Sequence, residues 1–352
     1  VARPGFHGVE LFFVISGFIL ALPFASAHLR SGPPVPLGKY FLRRLTRLEP
    51  PYILCMVFLF VMLVSAGRGA RALWPHLLAS LTYVHNLVYA KESLINNVAW
   101  SLEVEIQFYL LVPLLALVFA VRSRLRRRMI IVGVGLLSLG AHILYVREDP
   151  RLSLTILNYL YFFLIGFLLA DIYLVEWNRT RAGRLRWDLV SLVGWPVLFA
   201  IWNTPALATW ARGVVPEVFF PVCTFVLYCA VFRGVITNRL FTNPWITVIG
   251  GMCYTIYLLH NYAIGWLVRF TKDLAPASYD VNLLIQGALV LPLLLIGCAV
   301  YFVLIEQPCM RPDWPIRFRK YLSGLLRARA PEGAAKDRSP ASRPDGVPEA
   351  PA

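Results

Sequence analysis

Charge is scarce in this sequence, and acidic charge scarcest. Asp and Glu number 19 against 34 Lys and Arg, and the four types together make up 15% of the chain. Soluble domains carry about 25% charged and ~45–50% apolar residues, whereas the apolar share here is 58%. That deficit excludes the two water-covered domains that 352 residues would otherwise suggest. Metal-ligand spacing is missing as well. The six cysteines (Cys55, Cys223, Cys229, Cys253, Cys298 and Cys309) form no C-x-x-C pair, and five lie inside apolar runs. Neither a zinc site nor a disulfide framework is implied. No nucleic-acid motif accompanies the net charge of +15, and no inverted repeat of broken helices of the transporter kind is visible.

What the chain does have is long apolar runs. A run of ~18–25 apolar residues crosses a hydrocarbon core of ~30 Å at ~1.5 Å per residue. Nine such spans are predicted: Val9–Ala27, Pro51–Ala66, Val98–Val121, Met129–Val146, Leu152–Val175, Leu189–Trp202, Val214–Phe232, Pro244–Val268 and Leu283–Ile305. The fold class is therefore all-α, a polytopic transmembrane bundle over 1–310, followed by a basic tail over 311–352. From about Ala330 the tail is Pro, Ala, Gly and charge, which cannot bury a core. Any chemistry must sit inside the bundle or on its loops.

Arg and Lys crowd alternate connections. Arg30, Lys39, Arg43, Arg44 and Arg47 fill 28–49, whereas the longer next loop holds Arg68, Arg71 and Lys91. The run Arg122, Arg124, Arg126, Arg127 and Arg128 is followed by Arg147 and Arg151, and Arg179, Arg181, Arg184 and Arg186 by Arg212. The positive-inside rule then puts the N-terminus outside and the C-terminus in the cytoplasm. Asn178-Arg179-Thr180 matches a glycosylation sequon, but it falls on an inner loop and is treated as accidental.

Against that apolar background the ionisable residues stand out, because a charge at mid-membrane costs about 2.5–3.5 kcal/mol on insertion scales. Glu217 and Asp171 fit interfacial placement. Ser101, Glu105 and Tyr109 recur at i, i+4 and i+8, a polar stripe on one helix face that suits a bundle interior or a wet cavity, or else glues helices together. At ~1.5 Å per residue, Glu105 lies ~10 Å and His260 ~12 Å below the outer ends of their helices, and Glu10 sits at an outer end. Arg44 and Arg47, at i and i+3, can present one face to a phosphate at the inner side, or serve topology alone.

Several segments resemble the bacterial acyltransferase family three, the group that contains the O-antigen acetylases. Gly8 through Phe18 (GVELFFVISGF) resembles its G-V-D-L-F-F-V-x-S-G-F signature, with Glu10 in place of Asp. Phe41 through Tyr52 resembles its R-R-x-x-R-I-x-P-x-Y segment, and Trp100 through Tyr109 its W-S-L-x-V-E-x-Q-F-Y. Tyr254 through His260 is similar to its S-Y-x-I-Y-L-x-H, and Ile305-Glu306-Gln307-Pro308 to its closing E-x-P. The resemblance implies ten helices, no bound cofactor, acyl-coenzyme A as co-substrate and donor, and a carbohydrate hydroxyl as acceptor. It implies that Arg44 and Arg47 serve the donor. It also places the family's catalytic His on a helix ahead of the signature, where this chain has seven residues. His7 stands in the linker and does not inherit that role. The expectation is a nine-span chain lacking the first helix, and inactive without it.

On this reading Glu105, Glu10 and His260 are the candidates for chemistry, and Arg44, Arg47, Trp100, Ser101 and Tyr109 for holding substrate. Glu105 would hold a partner His in one tautomer, or share the acceptor's proton. Three readings compete. One is a transporter such as a flippase for lipid-linked sugars. Another is the membrane acyltransferase group that uses a His and Asn pair, suggested by the adjacent His85 and Asn86. The third is a non-catalytic remnant. The orientation has a direct check. A cysteine introduced at Ala90 should react with an impermeant thiol reagent added outside, and one at Ser123 should be protected. The reverse pattern would overturn the assignment.

Overall fold

A computed structural model describes residues 5–177, 183–203, 214–271, 274, 278–311, 314, 317 and 323. Most of the tail over 311–352 and the sequon at Asn178 lie outside the described residues. Among these residues the chain is helical and has no strand. The major helices are α1 (Gly5–Leu29), α2 (Leu37–Ser65), α3 (Ala70–Leu81), α4 (His85–Tyr89), α5 (Trp100–Leu115), α6 (Arg124–Ala141) and α7 (Ile156–Ile172). They continue as α8 (Leu185–Asn203), α9 (Val214–Arg233), α10 (Ile236–Phe241), α11 (Pro244–Gly251), α12 (Cys253–Thr271) and α13 (Tyr279–Tyr301). Six segments among the described residues are long and apolar enough to cross a bilayer: His7–Leu29, Leu37–Ser65, Asn97–Ala120, Arg124–Val146, Ile156–Trp177 and Val281–Cys309. The other three predicted spans are also helical, as α8, α9 and the α11–α12 pair.

Two boundaries differ from the sequence reading. The second span begins at Leu37 and not at Pro51, so Arg43, Arg44 and Arg47 ride on a membrane helix and not on a loop. Pro50 and Pro51 fall inside this helix. Inside a helix each removes one backbone donor and orphans the carbonyl four residues earlier. The helix runs on because the carbonyl that Pro50 orphans, that of Thr46, accepts a hydrogen bond from the Trp314 indole N–H at 2.9 Å. The eighth span is not one helix. It breaks at Gly250-Gly251-Met252 into α11 and α12, where two consecutive glycines lower helix propensity. The segment between α2 and α5 also carries α3 and α4.

The bundle centres on a crossing of α1 and α7. A side chain on Gly17 would collide with the Phe163 carbonyl, and one on Gly166 with the Val14 carbonyl. The two backbones are thus in direct contact, as small residues allow between membrane helices. Around the crossing Phe163 stacks on Phe13 at 4.6 Å and on Phe108 at 3.9 Å, which binds α5 to the same core. Below it, buried Arg127 and half-buried Arg128 both pair with buried Asp171, and Arg128 also reaches Glu176 at 2.7 Å. These arginines, which also signal topology, therefore clamp α6 to α7. Arg30 adds a tie from the end of α1 to the Leu174 carbonyl.

The glycine contact predicts an asymmetric response to added bulk. Gly17→Leu or Gly166→Leu meets backbone, which cannot swing away, so each should cost about 1–3 kcal/mol or more. Gly133→Leu meets nothing within 4 Å and should be neutral. Loss of the monodisperse peak on heating in detergent reads the difference. Equal stability of all three variants would mean that the crossing is looser than described.

Candidate active site

Two helices bring the polar stripe and the arginines together. On α5, Glu105 and Tyr109 share a face at i and i+4. On α2, Tyr40, Arg44 and Arg47 share another at i, i+4 and i+7. Pro113 fixes their register by removing the donor that would have satisfied the Tyr109 carbonyl. The Tyr40 hydroxyl donates to that carbonyl instead, at 3.3 Å. Arg44 then lies over the Tyr109 ring, its guanidinium carbon 5.8 Å from the centroid, in cation–π geometry.

Glu105 is 5% exposed. Its Oε1 accepts two hydrogen bonds, from the Ser16 hydroxyl of α1 at 2.9 Å and from the Tyr109 hydroxyl at 2.5 Å. The charges of Arg44 and Arg47 both act on it. The sequence reading set the arginines at the inner face and Glu105 in the outer half. They belong instead to one neighbourhood, because α2 carries the arginines up into the bundle. The Arg47 Nε is buried with no hydrogen-bond partner among the described residues, and so is the Glu306 Oε1 close to it. A small cavity of about 10 Å³ is lined by Glu105, Tyr109, Leu102, Ile106, Leu48, Tyr83 and Tyr254. That is about the room one water needs, ~10–15 Å³. Tyr83 enters the lining with a left-handed backbone (φ 57°) and stacks on Tyr52 at 4.9 Å.

The other predicted residues part from this group. Ser101 shares a 2.6 Å hydrogen bond with the Tyr257 hydroxyl, tying α5 to α12. Trp100 does not line the cavity. It packs edge-on to Phe13 at 6.4 Å, and its carbonyl accepts from Asn86. His260 turns its Nδ1 to its own helix, 2.8 Å from the Tyr257 carbonyl, so Nδ1 carries the proton and Nε2 is left as the basic nitrogen. Glu10 pairs with His7 at 2.8 Å, and the charges of Glu217 and His142 act on it. No histidine hydrogen-bonds Glu105 among the described residues; its hydrogen bonds come from Ser16 and Tyr109.

Sequence reasoning missed Ser16, Tyr40, Tyr83 and Tyr254. Ser16 had a signal, since it lies in the GVELFFVISGF segment. The tyrosines are individually unremarkable in a chain with 16 of them. His85 and Asn86, which suggested a paired catalytic motif, are both fully buried and hold the segment between α3 and α5. Asn86 N–H donates to buried Glu103 at 2.8 Å, and its side chain donates to the Trp100 and Leu154 carbonyls.

With this geometry in hand the comparisons fall into place. Residues 4–304 match the family described as the acyltransferase domain, and the chain belongs to that family. It is 26% identical over 300 residues to a Staphylococcus aureus (strain COL) protein named provisionally as an O-acetyltransferase, covering 76% of this chain and 48% of that one. It is likewise 26% identical over 283 residues to the O-acetyltransferase OatA of Staphylococcus aureus (strain NCTC 8325 / PS 47), covering 73% and 45%. The chain thus spans about half the length of the curated relatives it matches. No solved structure matches it at comparable significance.

The loop that delivers Tyr83 has a pH dependence. His85 Nδ1 donates to the Lys91 carbonyl at 3.1 Å, and its Nε2 lies 2.8 Å from the His76 Nδ1, so the ring is neutral. Burial pushes the His85 imidazole down to about 4 from an ordinary 6.5. Between those values the unfolded loop binds a proton that the folded loop refuses. Stability therefore rises with pH through that window and is fully present above about 6.5. Hydrogen exchange over 83–96, corrected for intrinsic rate, should be faster at pH 5 than at pH 7.5, and His85→Gln should flatten the difference. Equal protection at both pH values would contradict the assignment.

Proposed function

We propose that this chain carries the membrane part of an O-acyltransferase that moves an acyl group, acetyl by preference, from acyl-coenzyme A to a carbohydrate hydroxyl. The observation that carries the reading is the buried Glu105 carboxylate at a small cavity, fixed by two hydroxyls, with Arg44 over the ring of the Tyr109 that bonds it. The relatives' names, O-acetyltransferases, agree with transfer of an acetyl group to an oxygen.

Ester formation breaks the thioester C–S bond and forms a C–O bond to the acceptor oxygen. The acceptor's proton must leave as that oxygen attacks, and Glu105 is placed to take it. The proton is later returned to the departing thiolate, so coenzyme A leaves as the thiol. The carbonyl oxygen gains charge in between, and the cationic groups of α2 lie on the side where that charge is stabilised. Arg47, with an unpartnered buried Nε, suits a donor phosphate, for which the arginine fork is well matched. On the orientation read from the Arg and Lys distribution, the donor would enter from the cytosolic side, where acyl-coenzyme A is found.

Expressed as the whole open reading frame, in membranes supplied with labelled acetyl-coenzyme A, Glu105→Gln should cut transfer at least tenfold, about 1.4 kcal/mol of barrier. The shape is kept, so the protein should remain monodisperse. Arg44→Ala and Arg47→Ala should weaken donor binding by an amount consistent with ~1.5–3 kcal/mol per charge-assisted bond. Full transfer by a well-folded Glu105→Gln would remove Glu105 from the chemistry. Wild-type donor affinity in both arginine variants would leave them as topology signals.

A further inference from the structure

Away from Glu105, helices α6, α7 and α9 enclose an apolar cleft of about 210 Å³. Gly135, Leu139, Tyr161, Leu168, Val222 and Phe225 are among its walls. Gly135 keeps it open, because a side chain there would make only an ordinary contact, 4.0 Å from Leu164. From Ile131 to Leu139 the cleft follows ~12 Å of helix at ~1.5 Å per residue, a length along which one extended hydrocarbon chain can lie.

One end of the cleft is capped by polar groups. Tyr161 lines the cleft and packs against the His142 ring at 5.5 Å, and Val218 in its wall adjoins Glu217. His142 bridges Asn158 Oδ1 at 2.6 Å and Glu217 Oε2 at 3.1 Å, while the Asn158 amide N–H donates to the Ser153 carbonyl. Arg147 stands 3.7 Å from the other Glu217 oxygen, and the His7–Glu10 pair sits alongside with Phe220 against the His7 ring at 5.2 Å. Glu217 and Arg147 are each about a third exposed (32% and 33%), so the cap is accessible.

We infer that this cleft and cap form a binding site for a glycosylated lipid, with its hydrocarbon chain in the cleft and its sugar head at Glu217, Arg147 and Glu10. The inference rests on the acyl-transfer reading for calling that lipid the acceptor. The head chemistry follows from the cap. Carboxylates of Glu10 and Glu217 oppose a phosphate, and Arg147 opposes a choline. An uncharged polyhydroxyl head uses both donors and acceptors, with ring faces beside them for its C–H surface. Geometry links the cap to the reaction centre as well. Glu10 and Ser16 lie on the same helix, ~9 Å apart along its axis, and Ser16 holds Glu105. The cap and the reaction centre thus share one wall, α1.

The test uses the full chain in vesicles of phosphatidylethanolamine and phosphatidylglycerol. The probe is dodecyl glucoside with a diazirine midway along its chain, compared with dodecylphosphocholine bearing the same diazirine. Adducts are mapped by peptide mass spectrometry, with no acyl donor present. Glucoside adducts should concentrate on 131–139, 161–168 and 218–225 and exceed phosphocholine adducts there at least fivefold. Gly135→Phe and Val222→Phe fill the cleft from opposite walls and should each lower them at least fivefold, leaving adducts on α13 unchanged. Glu217→Gln should erase the preference for the sugar head. Glu105→Gln should leave labelling intact even where it stops transfer, so the two readings fail separately. Equal labelling by both heads, or adducts spread over all helices and indifferent to both cleft-filling variants, would overturn the site and leave only bilayer lipid.

Discussion

The backbone contact between Gly17 and Phe163, and between Gly166 and Val14, is the constraint on which the rest of the bundle hangs. It lets α1 sink against α7 until Ser16, the neighbour of Gly17, meets Glu105 on α5. A bulkier residue at either glycine would push α1 outward and withdraw that hydroxyl. The aromatic stack of Phe13, Phe163 and Phe108 then locks the three helices at that separation. Packing in the core and placement of a polar group in the site are thus one event.

The second constraint is the shortage of water. Within hydrocarbon every orphaned polar group needs a protein partner, and this chain supplies partners at distances of many residues. Pro50 frees the Thr46 carbonyl and Trp314 takes it; Pro113 frees the Tyr109 carbonyl and Tyr40 takes it. Tyr254 and Tyr301 likewise donate to the carbonyls of Leu48 and Pro51. Tyrosine suits this work, since its ring is apolar and its hydroxyl reaches past a helix surface. Twelve buried side-chain atoms among the described residues are left without partners, and one of them, Arg47 Nε, belongs to the arginine proposed to serve the donor.

Much of the fold was legible because one signal, the length of apolar runs, decides it. The spans of α1, α5, α6, α7 and α9 follow the sequence reading closely. The errors came where local signals conflict with tertiary supply. Pro50-Pro51 reads as a boundary unless Trp314 is known to complete the ladder, and Gly250-Gly251 reads as part of a span because its neighbours are apolar. Of the site, the stripe of Glu105 and Tyr109 was readable from spacing on one helix. The meeting of that stripe with Arg44 was not, because it depends on how far α2 extends. Glu217 reads as an ordinary interfacial residue and His142 carries no signal of its own; the two lie 75 residues apart, and only tertiary packing makes them a pair.

The account turns on where the reacting ends of donor and acceptor meet. A structure with a non-hydrolysable acyl-coenzyme A analogue bound to the protein tests this most directly. The prediction is that the analogue's acyl end lies at the cavity bounded by Glu105, Tyr109 and Tyr83, beside Arg44. An acyl end lodged elsewhere, beside His142 and Glu217 for example, with the Glu105 cavity still closed by its own side chains, would contradict it.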